Sequence, residues 1–184
     1  MKGVIFDLLR TIVEPDHGED AWDDAIDRAG VDGVYTAVGK YPDDEFTTLL
    51  NHVPSGQAAS TADLLRWFGR RAMPELAIAY PMFFRGHESL ATFLPTLNDV
   101  IHAEVRKLYP DAEVPDFRMT GDGEQTLLVE YRSPRRLCAL AEGFIVGAAD
   151  HFDEHVVVEQ PTCMLRGDEH CALVCRIAVA APYG

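Results

Sequence analysis

Residues 126–152 read TLLVEYRSPRRLCALAEGFIVGAADHF, and the period of their apolar positions changes once, near the middle. Thr126 to Arg132 suits a strand. After it, Leu137, Leu140, Ala141, Phe144 and Ala148 fall on one helical face. Between the two, Ser133 is a favoured N-cap residue and Pro134 is favoured at the first helical position, so the sequence predicts a helix running from Arg135. Arg135 and Arg136 then stand in its first turn. Partial positive charge and free N–H groups gather there, which disfavours cations unless an anion lies among them. Tyr131, Ser133 and Arg135 therefore read as an anion-holding stretch, with two hydroxyl donors, a guanidinium fork and a helix end. The plainer alternative is that Arg135 and Arg136 pair with Glu130, Glu142 or other surface carboxylates.

Upstream, the first hundred or so residues read as helix. Ile5, Leu8, Leu9 and Ile12 follow helical spacing, as do Leu64, Leu65, Phe68 and Ala72 in a helix that Ser60 or Thr61 can cap. Pro74 ends or kinks that helix, Pro81 begins an aromatic loop, and Pro95 opens a further helix that Pro110 closes. Phe117 to Met119 and Thr126 to Arg132 flank the turn sequence GDGEQ and make a hairpin. Beyond residue 152, strands are expected at His155 to Cys163 and Cys171 to Val179, with a turn at Arg166-Gly167-Asp168. Helices, hairpin, one long helix and a second hairpin indicate an α+β fold with an antiparallel sheet.

The chain has 184 residues, of which 47% are apolar, enough for a sizeable interior. Its formal net charge of −14 repels nucleic-acid phosphates and anionic membrane surfaces, and no basic stripe offsets it. No run approaches a membrane-spanning length and the start resembles no signal peptide, so the expected location is cytoplasmic, with no nucleic-acid or membrane partner. No nucleophile or pair of carboxylates stands at a telling spacing, and an enzyme is not expected.

His102 lies at the edge of an apolar stripe formed by Leu97, Ile101, Val105 and Leu108. A histidine there can simply hydrogen-bond a backbone carbonyl. Taken with the anion-holding stretch and the aromatic-rich helical half, it also fits a planar apolar cofactor that carries carboxylates and is bound axially by the imidazole. Heme meets that description. Cys138, Cys163, Cys171 and Cys175 are either free thiols or metal ligands.

The segments MKGVIF, DGVYTAV, YPDDE, LLRWFGR, NDVIHAEVRKLYP, YRSPR, LCALAEG, GAADHF and CMLRGDEHC together make this sequence resemble the H-NOX domains, which bind heme and sense nitric oxide or dioxygen. The resemblance covers essentially the whole chain and implies a single domain over 1–184, a stand-alone bacterial nitric oxide sensor. A distal helical part would occupy about 1–60 and a proximal part with the sheet about 61–184, with heme b between them. It makes His102 the iron ligand, has Tyr131, Ser133 and Arg135 clamp the heme propionates, and sets Pro115 against the porphyrin. Where dioxygen-binding members carry a distal tyrosine, this chain has Leu140; Ile5, Leu9, Ile78 and Phe144 are further distal positions, all apolar. Such a pocket suits nitric oxide, with carbon monoxide as a weaker ligand, because bound dioxygen needs a hydrogen-bond donor, and only Tyr80 or another tyrosine swinging in would supply one.

By the same resemblance, nitric oxide releases His102, and the signal passes to a separate protein, in bacterial relatives commonly a histidine kinase or a diguanylate cyclase. Some members hold a structural zinc with cysteines matching Cys138, Cys163 and Cys171 and a histidine where Gln160 stands here. Cys175, on the same strand face as Cys171, is then the expected fourth ligand, with His170 behind it. A thiol or zinc redox switch built on these cysteines is the second functional reading.

Overall fold

Capping, spacing and turn residues set most element boundaries. The structure is a computed structural model that describes residues 1–54, 60–110, 112–121 and 125–179. Helix α1 (Gly3–His17) buries Phe6, Leu9 and Val13 along one face, and Gly18 ends it. Helix α2 (Glu19–Ala29) presents Trp22 and Ala25 inward and stops at Gly30, whose φ of 66° is left-handed. Helix α3 (Asp43–Leu50) opens with Asp43, Asp44 and Glu45, charges that its N-terminal dipole favours. Helix α4 (Thr61–Ala79) begins at a capping box in which the Asp63 N–H donates to Ser60 Oγ at 3.2 Å and the Ser60 N–H donates to the Asp63 carboxylate at 3.2 Å. It runs through Pro74 to Ala79 rather than ending there.

A short helix α5 (Leu90–Phe93) leads to a π-helical turn over Leu97–Ile101, which runs straight into α6 (His102–Leu108). Strands β1 (Asp116–Gly121) and β2 (Thr126–Arg132) pair antiparallel; the turn expected between them at GDGEQ falls largely on residues 122–124, outside the described residues. Helix α7 (Cys138–His151) follows, and β3 (Glu154–Thr162) and β4 (Cys171–Val179) complete the sheet in the order β1-β2-β4-β3. This is the α+β architecture expected from the sequence.

The start of α7 differs from expectation. The helix begins at Cys138 with Leu137 as its N-cap residue, not at Ser133-Pro134. Pro134 occupies the second position of a tight turn closed by the Arg136 N–H on the Ser133 carbonyl at 3.1 Å, and Arg136 has φ 53°, where a helix cannot continue. Proline's fixed φ serves either role, and only the conformation at Arg136 separates them.

Two apolar clusters flank α4 and α7. A distal one gathers Phe6, Leu9, Phe46, Leu49, Leu50 and Phe68; a proximal one gathers Phe93, Phe117, Val129, Leu173 and Ile177 on the sheet. Helix α7 feeds both, Ala139 and Leu140 to the first and Ala141, Ile145 and Ala148 to the second. It crosses α4 with almost no side chain between the backbones. A Cβ on Gly69 would stand 2.7 Å from the Leu140 carbonyl oxygen, one on Gly143 2.3 Å from that of Arg66, and one on Gly147 2.6 Å from that of Arg70. Ion pairs from Arg66 to Glu142 at 2.8 Å and from Arg70 to Asp150 brace the same crossing. Substituting Gly143→Ala should therefore lower stability by about 1–3 kcal/mol in urea unfolding, despite alanine's better helix propensity, because the helices must part to admit the methyl. Unchanged or raised stability would show that the crossing yields freely.

Candidate functional site

A cavity of about 490 Å³ lies between the two clusters, its walls mostly apolar. Ile5 of α1, Leu140 and Phe144 of α7, and Met73, Leu76 and Tyr80 at the end of α4 line it, together with Leu97, Ile101, His102, Pro115 and Phe117. Pattern and position explain who faces inward. Met73, Leu76 and Tyr80 recur at helical spacing on one side of α4 and its end, which turns Ile78 the other way; Ile78 is 75% exposed. It does not line the cavity, contrary to expectation. Nor does Leu9, which is wholly buried one turn deeper along α1, inside the distal cluster.

His102 opens α6 and stacks on Phe117, ring centroids 5.8 Å apart at 25°. Its Nδ1 is buried and makes no hydrogen bond of normal geometry. Burial first, then the charge of Arg106, pushes its pKa down to about 4, against a weaker opposing pull from the Pro115 carbonyl. Near neutral pH the imidazole is uncharged and offers a lone pair, the state a metal requires.

One edge of the cavity is polar. Tyr131 Oη accepts from the Leu137 N–H at 3.0 Å, and Ser133 Oγ accepts from the Arg135 N–H at 3.3 Å. The Arg135 guanidinium forks onto both carboxylate oxygens of Asp43 at 2.7 Å, and Nη1 reaches the Glu113 carbonyl at 3.2 Å. The Met1 amine also meets Asp43, at 2.7 Å. Burial raises the Asp43 pKa, but the hydrogen bonds and charges of Arg135 and the amine outweigh it and hold this carboxyl below its ordinary range. Tyr131, Ser133 and Arg135 line this edge together, yet the helix does not begin beside them, and the anion facing Arg135 is an internal aspartate. Asp43 was missed because acids in a helix's first turn are ordinary.

The thiols of Cys138, Cys163 and Cys171 are buried, with sulfur atoms all within 4.8 Å of one another; Cys138 and Cys163 are 3.7 Å apart. Burial raises the Cys163 pKa, but backbone N–H groups of Leu165 and Arg166 and the two neighbouring thiols lower it on balance, while burial pushes Cys171 up to about 12. Cys175 is not part of this group. It shares Cys171's strand face, but four residues at about 3.3 Å each place it about 13 Å along β4, where it contacts the Leu173 carbonyl and burial pushes it up to about 12. His170 lies 3.4 Å from Glu130 and outside the cluster.

A family model described as Haem-NO-binding matches residues 2–160. Among solved structures the chain is similar to an H-NOX protein from S. oneidensis in the Fe(II)NO ligation state, with 29% identity over 97% of this chain and 99% of that one and a TM-score of 0.87. It is similar to the Fe(II) unliganded H-NOX protein from K. algicida at 26% identity, covering 100% of both chains with a TM-score of 0.82. An oxygen-binding H-NOX domain related to soluble guanylate cyclases, at 24% identity over 99% of this chain and 96% of that one and a TM-score of 0.75, shares the fold. Among curated proteins no relative is found. No helix of the described residues is long and apolar enough to cross a membrane.

The depressed pKa of His102 has a sign that can be measured in the protein without cofactor. The unfolded chain binds a proton near pH 6.5 and the folded chain only near 4, so stability present above pH 6.5 is lost as pH falls through this window. Urea unfolding at several pH values should show a shallower decline in His102→Gln than in the unmodified chain; identical declines would mean that the imidazole is not held neutral.

Proposed function

For a chain that belongs to the Haem-NO-binding family, we propose a heme-based gas sensor that binds nitric oxide at ferrous heme b and signals by releasing His102 to a separate partner protein. The observation that carries this reading is the imidazole of His102, its Nδ1 buried and without a hydrogen-bond partner, on the wall of a large apolar cavity. An imidazole in that state fits an iron, and the polar edge at Tyr131, Ser133 and Arg135 fits the two carboxylates of a porphyrin.

His102 would hold the iron, and Arg135, Ser133 and Tyr131 the propionates, with Arg135 shared between a propionate and Asp43. Ile5, Leu140, Phe144 and Pro115 would bear on the ring. Heme, when bound, supplies an iron that takes up a diatomic gas. Leu140, Ile5 and Phe144 bring no hydrogen-bond donor, and although Tyr80 also lines the cavity, the apolar side they build favours nitric oxide over dioxygen, with carbon monoxide a weaker ligand. Helix α6 buries none of its residues and leaves Arg106, Lys107 and Leu108 exposed, so little besides its histidine and its N-terminal junction holds it. On nitric oxide binding His102 would be released and α6 would be free to move, and a separate partner, a histidine kinase or diguanylate cyclase, would read that motion.

The buried thiol trio supports a second reading, a zinc or thiol redox switch at Cys138, Cys163 and Cys171. Gln160 stands three residues before Cys163, with its amide nitrogen buried and unpartnered. Metal analysis should find about one zinc per chain, lost in Cys163→Ser; a metal-free protein with three reduced thiols would make the trio simple packing.

The purified protein should show an intense Soret band that shifts with nitric oxide. His102→Gly should lose heme unless imidazole is supplied, and Leu140→Tyr should let a ferrous dioxygen complex persist. A protein that takes up no heme, or an unmodified protein that holds dioxygen stably, would overturn the reading.

A further inference from the structure

Asn98 sits one turn before His102, in the π-helical stretch that leads into α6. Its Nδ2 donates to the Phe117 carbonyl, and its Oδ1 accepts from the Phe117 N–H at 3.2 Å. One side chain thus satisfies both backbone groups of a residue on β1, an edge strand that pairs with no other strand on that side among the described residues. Phe117 is register partner to Tyr131 on β2, and its ring stacks on the His102 imidazole and leans on Tyr131 at 5.6 Å. The contacts close a loop: Asn98 holds the Phe117 backbone, the Phe117 ring bears on His102, and His102 follows Asn98 by one turn of the same segment.

No hydrogen bond of normal geometry holds Nδ1, so the ring's placement depends on what its neighbours do. The π-helical turn is the part of this segment with room to change its hydrogen-bond register, and such turns recur at functional sites. Asparagine is the residue type this needs. It brings a donor and an acceptor in one plane, where aspartate brings acceptors alone and leucine neither.

The geometry points to Asn98 as the positioning residue that pins the His102 segment to the sheet through Phe117, and so sets how readily the imidazole leaves. This rests on the proposed function only for what the release means; the tether itself belongs to the protein without cofactor. Two variants test it. Asn98→Leu keeps the volume and removes both bonds, and Asn98→Asp keeps the acceptor.

In the heme-free protein, amide exchange at Phe117 should speed up about tenfold or more in Asn98→Leu and less in Asn98→Asp, and the His102 imidazole NMR signals should move toward those of a free ring. In protein reconstituted with heme, His102 should leave several-fold faster after nitric oxide is added, followed in the Soret region, with Asn98→Asp between Asn98→Leu and the unmodified chain. Unchanged Phe117 exchange in Asn98→Leu would dispose of the tether. Faster exchange with unaltered imidazole signals and release rate would reduce Asn98 to an edge-strand brace. If no variant takes up heme, the sensor reading fails, and the exchange and imidazole measurements still decide Asn98.

Discussion

Apart from Glu142, Asp150 and His151 the side chains of helix α7 are apolar or small, and much of the structure follows from that. Most of its residues are buried, so apolar matter must cover it on several sides at once. The sheet covers one side and α4 another, while the N-terminal helices cover the turn around Ala139 and Leu140. A helix wrapped in this way cannot serve a single core. It separates two, and its contact with α4 is close enough that Gly69, Gly143 and Gly147 leave no room for a methyl. Packing at that distance brings many weak dispersion contacts together and makes the crossing a fixed axis of the molecule.

Because two cores meet along one rigid pair of helices, the space between them is not filled by either. The cavity takes its apolar wall from both, and its polar edge from the turn that joins β2 to α7. Charge is handled differently from one part of the site to another. Asp43 and Arg135 neutralise each other at the edge, each held by the other's hydrogen bonds. His102 meets no counter-charge and sheds its proton instead, as a half-buried base does when desolvation outweighs its partners. The same low-polarity surroundings that make a free imidazole neutral also make it a good donor to a metal.

What was readable in the chain depended on local signals. The strand signals of β2 and β4 and the Ser60 cap each work over a few residues, and the structure has them. Where two local readings compete, reading fails: Ser133-Pro134 opens a helix or a turn equally well, and the left-handed Arg136 decides for the turn. Strand-face parity put Cys175 with Cys171 and overlooked the distance along the strand. Ile78 was placed on the distal side by the family resemblance, but its helix shows the other side to the cavity. Asp43 and Asn98 carried no signal, since their partners lie 92 and 19 residues away.

From the sequence alone came the α+β order of elements and the place of His102 at the edge of an apolar stripe, because periodicity acts locally, while the apolar distal positions followed from the resemblance to H-NOX domains. The tertiary structure decided which carboxylate faces Arg135, which thiols form a trio and which side chain braces the strand under His102. Those are distances between segments remote in the chain, and they exist only once α4 and α7 have closed on each other.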